Sequence, residues 1–148
     1  MPTRYPVETA PGIQISFTGP VTEIEREATI ENVEPFEVTD TEGLPKAPDP
    51  SDIPDAVEYL RLMQAWDDAY DRAPMVRTGF ILNIYDDKRR TGYTPLIRNE
   101  QAEALMKEAG GLSDPTQLIG QKVLAYCQRT DEMPEEKAFI VAISLAEP

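Results

Sequence analysis

Apolar and polar residues alternate one by one in Ile13-Gln14-Ile15-Ser16-Phe17, the pattern of a half-buried strand. Thr18-Gly19-Pro20 is a turn signal, and a second strand is expected from Val21 to Ile30 or a little beyond. The pattern then breaks at Gly43-Leu44-Pro45-Lys46-Ala47-Pro48-Asp49-Pro50-Ser51. Each proline there fixes its own φ and biases the residue before it away from helix, so the stretch reads as a semi-rigid extended linker. Beyond it Ala56, Tyr59, Leu60, Met63, Trp66 and Tyr70 recur at helical spacing. They predict a helix capped by Ser51 or Asp52, with Pro54 early in it and its end before Pro74.

From Met75 the period changes. Val76 to Tyr85 and Tyr93 to Ile97 predict two strands of a hairpin around the polar tip Asp86-Asp87-Lys88-Arg89-Arg90-Thr91-Gly92. Asn99 is the expected cap of a helix through Ala102, Leu105, Met106 and Ala109, stopped at Gly110-Gly111. Ser113-Asp114-Pro115 opens a short helical turn ending near Gly120, and strands are expected over 122–128 and 138–145. The acidic loop Asp131-Glu132-Met133-Pro134-Glu135-Glu136 joins those two strands. The order predicts an α+β single domain, with an antiparallel sheet or small open barrel of the oligonucleotide-binding type and two main helices. Its parts are acidic N-terminal strands (1–42), a proline-rich linker (43–54) and a helix-plus-strand core (55–148).

Composition narrows the chemistry. With 148 residues, 41% hydrophobic and 28% charged, the chain is expected to be a folded soluble protein. No apolar stretch is long enough for a membrane span, and Met1-Pro2-Thr3-Arg4-Tyr5-Pro6 lacks a signal-peptide core, so a cytoplasmic location is expected. The single cysteine, Cys127, excludes an intrachain disulfide and a thiolate-rich zinc site. It alternates with Val123 and Ala125 on an apolar face, where a thiol is a small hydrophobe. The absence of histidine removes Ser-His-Asp and Cys-His nucleophiles and histidine-ligated iron. No phosphate-loop, dinucleotide or nucleophile-elbow motif occurs. No cofactor, metal or catalytic residue is nominated.

Charge supplies the remaining direction. There are 27 acidic against 14 basic residues, a net charge of -13. Residues 1–73 hold 16 acids and 5 bases, net -11, whereas residues 74–148 hold 11 and 9, net -2. Such a balance disfavours anionic membranes and unaided nucleic-acid binding. Glu23, Glu25, Glu27 and Glu31 fall at even spacing along the second strand, whose geometry puts alternate residues on one face about 6.6 to 6.8 Å apart, so they form a row of carboxylates that Glu34, Glu37, Asp40 and Glu42 could extend. A row of this kind can stand in for a phosphate backbone, against the plainer and more ordinary reading of a solvated strand face that deters edge pairing. Asp67, Asp68 and Asp71 close the first helix where carboxylates oppose the macrodipole, beside Trp66 and Tyr70. Together these form a candidate surface for a basic partner, against the plainer reading of a core aromatic pair with solvated acids. Lys88, Arg89 and Arg90, flanked by Tyr85 and Tyr93, are the only cationic cluster and a candidate secondary contact.

The expected function is therefore a non-enzymatic acidic interaction module that binds a basic protein surface. Its sharpest form is a DNA mimic that inhibits a nucleic-acid-binding or host-defence complex on behalf of a mobile element. The alternatives are a structural subunit of a virion-like or homo-oligomeric assembly, and a single-stranded nucleic-acid-binding barrel using the cationic tip.

Overall fold

The computed structural model describes residues 3–13, 15, 17–134 and 137–146. Its elements are β1 (Tyr5–Pro6), β2 (Thr22–Thr39), α1 (Ala56–Arg72), β3 (Met75–Asp86), β4 (Gly92–Tyr93), β5 (Leu96–Arg98), α2 (Asn99–Glu108), a 3-10 turn (Pro115–Leu118), β6 (Lys122–Arg129) and β7 (Phe139–Leu145). The strands form one antiparallel sheet in the order β1-β7-β6-β2-β3-β4, with β5 also pairing with β3, and the order does not close on itself. The N-terminal strands thus belong to the same sheet as the C-terminal ones. The architecture is an open α+β sheet with two α-helices. Among the described residues no helix is long and apolar enough to cross a membrane.

The chain divides into two compact units, Met1–Phe36 with Thr78–Pro148, and Glu37–Arg77. In the first, alternate residues of the strands point to a core containing Ile30, Leu82, Ile84, Ile97, Val123, Ile140 and Ile143. α2 adds Ala102, Leu105 and Met106 at helical spacing, all buried. This helix starts at Asn99, one residue earlier than a cap at Asn99 requires, because Arg98 is the N-cap and makes no side-chain capping bond. It stops at Gly110 and Gly111, whose φ of 113° and 74° suit glycine. The 3-10 turn is held by a capping box between Asp114 and Gln117. β1 is pinned from the side: the buried Tyr5 hydroxyl donates to Glu108, and burial together with that carboxylate pushes its phenol up to about 12.

β2 is 18 residues long, well past Ile30. Its register with β6 runs from Thr22↔Arg129 to Thr29↔Lys122, so Pro35, which lacks an N–H to donate, lies beyond that ladder. The expected strand over 13–17 is not part of the sheet at its described residues. Ile13 makes only an isolated bridge to Ala10, and Gln14 and Ser16 lie outside the described residues. The second half of the hairpin is split into β4 and β5 around Thr94-Pro95, both paired with β3. The loop between β6 and β7 is described except at Glu135 and Glu136.

In the second unit α1 begins later than Ser51 or Asp52. Asp55 is the cap, accepting the N–H of Val57 at 2.9 Å and of Glu58 at 3.5 Å, and Pro54 precedes it. Asp49 instead closes its own turn on Ser51, through N–H and hydroxyl bonds at 2.9 and 2.8 Å that hold its carboxyl below the ordinary value. The proline-rich segment is tied to α1 by the Trp66 indole, which donates to the Pro45 carbonyl at 3.0 Å. The Asp40 N–H donates to Pro74 O at 2.8 Å. Helical spacing of Ala56, Tyr59, Leu60, Met63, Trp66 and Tyr70 does not produce a buried face: α1 has no buried residue.

Candidate functional site

The outward side of β2 is built by strand alternation. Ala28 and Ile30 are buried while Glu23, Glu25 and Glu27 are exposed and Glu31 is half-buried. The row is only partly free. Arg4 lies across its start, with one guanidinium nitrogen 3.0 Å from Glu23 and the other 3.9 Å from Glu25. The same guanidinium stacks 3.8 Å above the Tyr126 ring, whose hydroxyl is hydrogen-bonded to Ser144 Oγ at 2.9 Å. At the far end Glu31 is ion-paired with Arg89. Glu27 makes no ion pair among the described residues, and its backbone carbonyl accepts the Asp87 N–H at 3.1 Å.

The hairpin tip is drawn onto this side of the sheet. Arg89 adopts φ 57° and lies 5.6 Å from the Tyr85 ring. Arg90 is 3.4 Å from Asp86, and Lys122 is 3.6 Å from Asp87. Lys88 is exposed, without an ion pair among the described residues. Two of the three cations nominated at the tip are thus spent on acids of the same unit. A shallow open depression of about 290 Å³, lined by Glu25, Arg26, Glu27, Asp86, Lys88 and Arg90, is of mixed charge.

Beneath it lies a pair that composition did not reveal. Asp86 is buried, 3.9 Å from Arg26, which occupies the inward parity of β2 between Ile24 and Ala28. A charged residue at an inward strand position requires a buried partner, and that parity was the signal in the sequence. Burial pushes the Asp86 carboxyl up, but the N–H groups of Arg90 and Thr91 and the guanidiniums of Arg90 and Arg26 outweigh it, holding the carboxyl below its ordinary value. A depressed carboxyl stabilises the fold above the unfolded-state value of 3.8, and that contribution is lost as pH falls through the lower folded-state value. Asp86→Asn is therefore expected to lower the urea midpoint at neutral pH, with the gap from the parent closing progressively as the pH is taken below 3.8. A gap independent of pH would contradict this.

Cys127 is fully buried, and burial pushes its thiol up, so it packs as a hydrophobe. In the second unit Trp66 and Tyr70 stack at 5.3 Å. Asp67, Asp68 and Asp71 beside them are exposed and make no ion pair among the described residues; Asp68 accepts from Gln64 at 3.1 Å. Arg72, in the last helical turn, is the one cation that complements the dipole there. The candidate residues thus fall into two groups, the β2 row with the hairpin tip in one unit and the α1 knob in the other. Arg4, Arg26 and Asp86 are not among the site residues expected from the sequence. Comparison with known protein families, with curated proteins and with solved structures finds no match to this chain.

Proposed function

We propose that the chain is a non-enzymatic, cytoplasmic acidic protein that binds a basic surface of another protein, in its sharpest form as a DNA mimic occupying the site of a nucleic-acid-binding or host-defence complex. The observation that carries the reading is the unneutralised charge of the second unit. Residues 37–77 contain ten acidic and four basic residues, and one of those bases, Arg61, is already held by Glu58 at 3.0 Å. Asp67, Asp68 and Asp71 gather at a helix end where the backbone dipole disfavours them. The β2 row supports the reading less, since Arg4 and Arg89 neutralise part of it. Opposite charge across an interface speeds encounter and makes affinity fall with salt.

The test is affinity capture from host lysate with the parent chain and with Asp67→Asn/Asp68→Asn/Asp71→Asn. Retained basic proteins, released by moderate salt and bound about tenfold more weakly by the triple variant, are expected, on about 0.5 kcal/mol for each charge. For the mimic form, the chain should displace DNA from the protein retained. Retention of only its own copies, or binding indifferent to salt and to the three substitutions, overturns the proposal.

A further inference from the structure

α1 has two opposite sides. Tyr59, Met63 and Trp66 lie on one, half-buried, with Trp66 anchored to Pro45. On the other, Val57, Leu60, Gln64 and Asp67 follow one another at spacings of three and four, and Asp68 and Asp71 stand four residues beyond Gln64 and Asp67, so the six share one side of the helix as a stripe. That stripe is apolar at its start and acidic at its end. Val57 is 76% and Leu60 66% exposed, and the three aspartates make no ion pair among the described residues. The exposed pair contributes little burial to the unit's stability, and acids in a last turn detract from it, so folding does not account for the stripe.

We propose that this stripe is a docking helix for a partner protein whose receiving surface is an apolar groove with lysines or arginines at the end that meets residues 67–71. The inference rests on the acidic-interaction reading and states what that interaction is made through. Charge complementarity names the occupant. A second copy would set net -6 of residues 37–77 against the same charge, and nucleic acid would do likewise. Val57 and Leu60, one turn apart, supply the anchors that helix-in-groove recognition needs.

Calorimetric titration of the full chain with two synthetic peptides of equal length and charge tests this. One is an amphipathic helical leucine/lysine peptide; the other replaces its leucines with serine. The first is expected to bind more tightly. Val57→Ser/Leu60→Ser should weaken the leucine peptide by about tenfold or more while leaving the serine peptide unchanged, since both side chains lose their apolar burial in the groove. Asp67→Asn/Asp68→Asn/Asp71→Asn should weaken both. If the serine pair leaves the leucine peptide unaffected while the asparagine variant weakens both, the docking stripe is overturned and the acidic function stands. If neither variant changes either affinity, both fall. A dimer seen by light scattering and abolished by Leu60→Ser makes a second copy the occupant and also overturns the proposal. Circular dichroism of each variant should match the parent, because the substituted side chains are exposed.

Discussion

Gly79→Ala is expected to cost more than about 3 kcal/mol and to leave little folded protein, because the added methyl has nowhere to go. A Cβ at Gly79 would lie inside the contact distance of the Ile97 carbonyl oxygen and 3.0 Å from its carbonyl carbon. The obstruction is backbone, in the strand that pairs Gly79 with Arg98 and Phe80 with Ile97. A side chain in the way can change rotamer; a paired strand moves only by giving up its register. Gly43→Ala is the control, since nothing lies within 4 Å of its Cβ, and its effect should stay within about 0.5 kcal/mol. Urea unfolding followed by circular dichroism measures both. Similar midpoints for the two variants would refute the close approach of β3 and β5.

The second large effect separates the two helices. Leu105→Ala removes a fully buried side chain of α2 from the main core, and should cost about 2 to 5 kcal/mol through lost transfer energy and the cavity left behind. Leu60→Ala in α1 removes the same atoms from a side chain that is 66% exposed, and should cost no more than about 0.5 kcal/mol. The two substitutions are chemically identical and differ only in surroundings. Equal losses would mean that α1 carries structural burial, and its outward stripe would then have a reason to exist without a partner.

The contrast also marks what was legible in the sequence. α2 was readable because Ala102, Leu105 and Met106 obey the helical period and the period there coincides with burial. β3, β6 and β7 were readable because dense apolar runs in a small domain must reach the core. α1 has the same kind of period, yet none of its residues is buried: periodicity reports that a helix has two sides without saying that the apolar one is covered. It starts later than the sequence suggests because Ser51, Asp52 and Asp55 are all good caps on composition, and the turn closed by Asp49 claims the first of them. β1 is two residues long and owes its place to β7 and to Glu108, more than 100 residues away in the chain, which no local pattern encodes.

Much the same holds for the charged residues. The even spacing of Glu23, Glu25 and Glu27 correctly placed them on the exposed side of one strand. That Arg4 would cover two of them, and Arg89 reach Glu31, depends on pairings made across the sheet. Formal charge counted along the chain therefore overstates how negative β2 is, and describes α1 better, where the excess is local.

The contact between Trp66 and Pro45 bears on how the molecule can be watched as it unfolds. Trp66 is the only tryptophan, and its indole is fastened within residues 37–77. Its emission therefore follows the melting of that segment, whereas hydrogen exchange of the β6 and β7 backbone amides follows the sheet. Coincident transitions by the two signals would mean one cooperative unit; separated transitions would give each segment its own free energy, and a single melting temperature would describe neither.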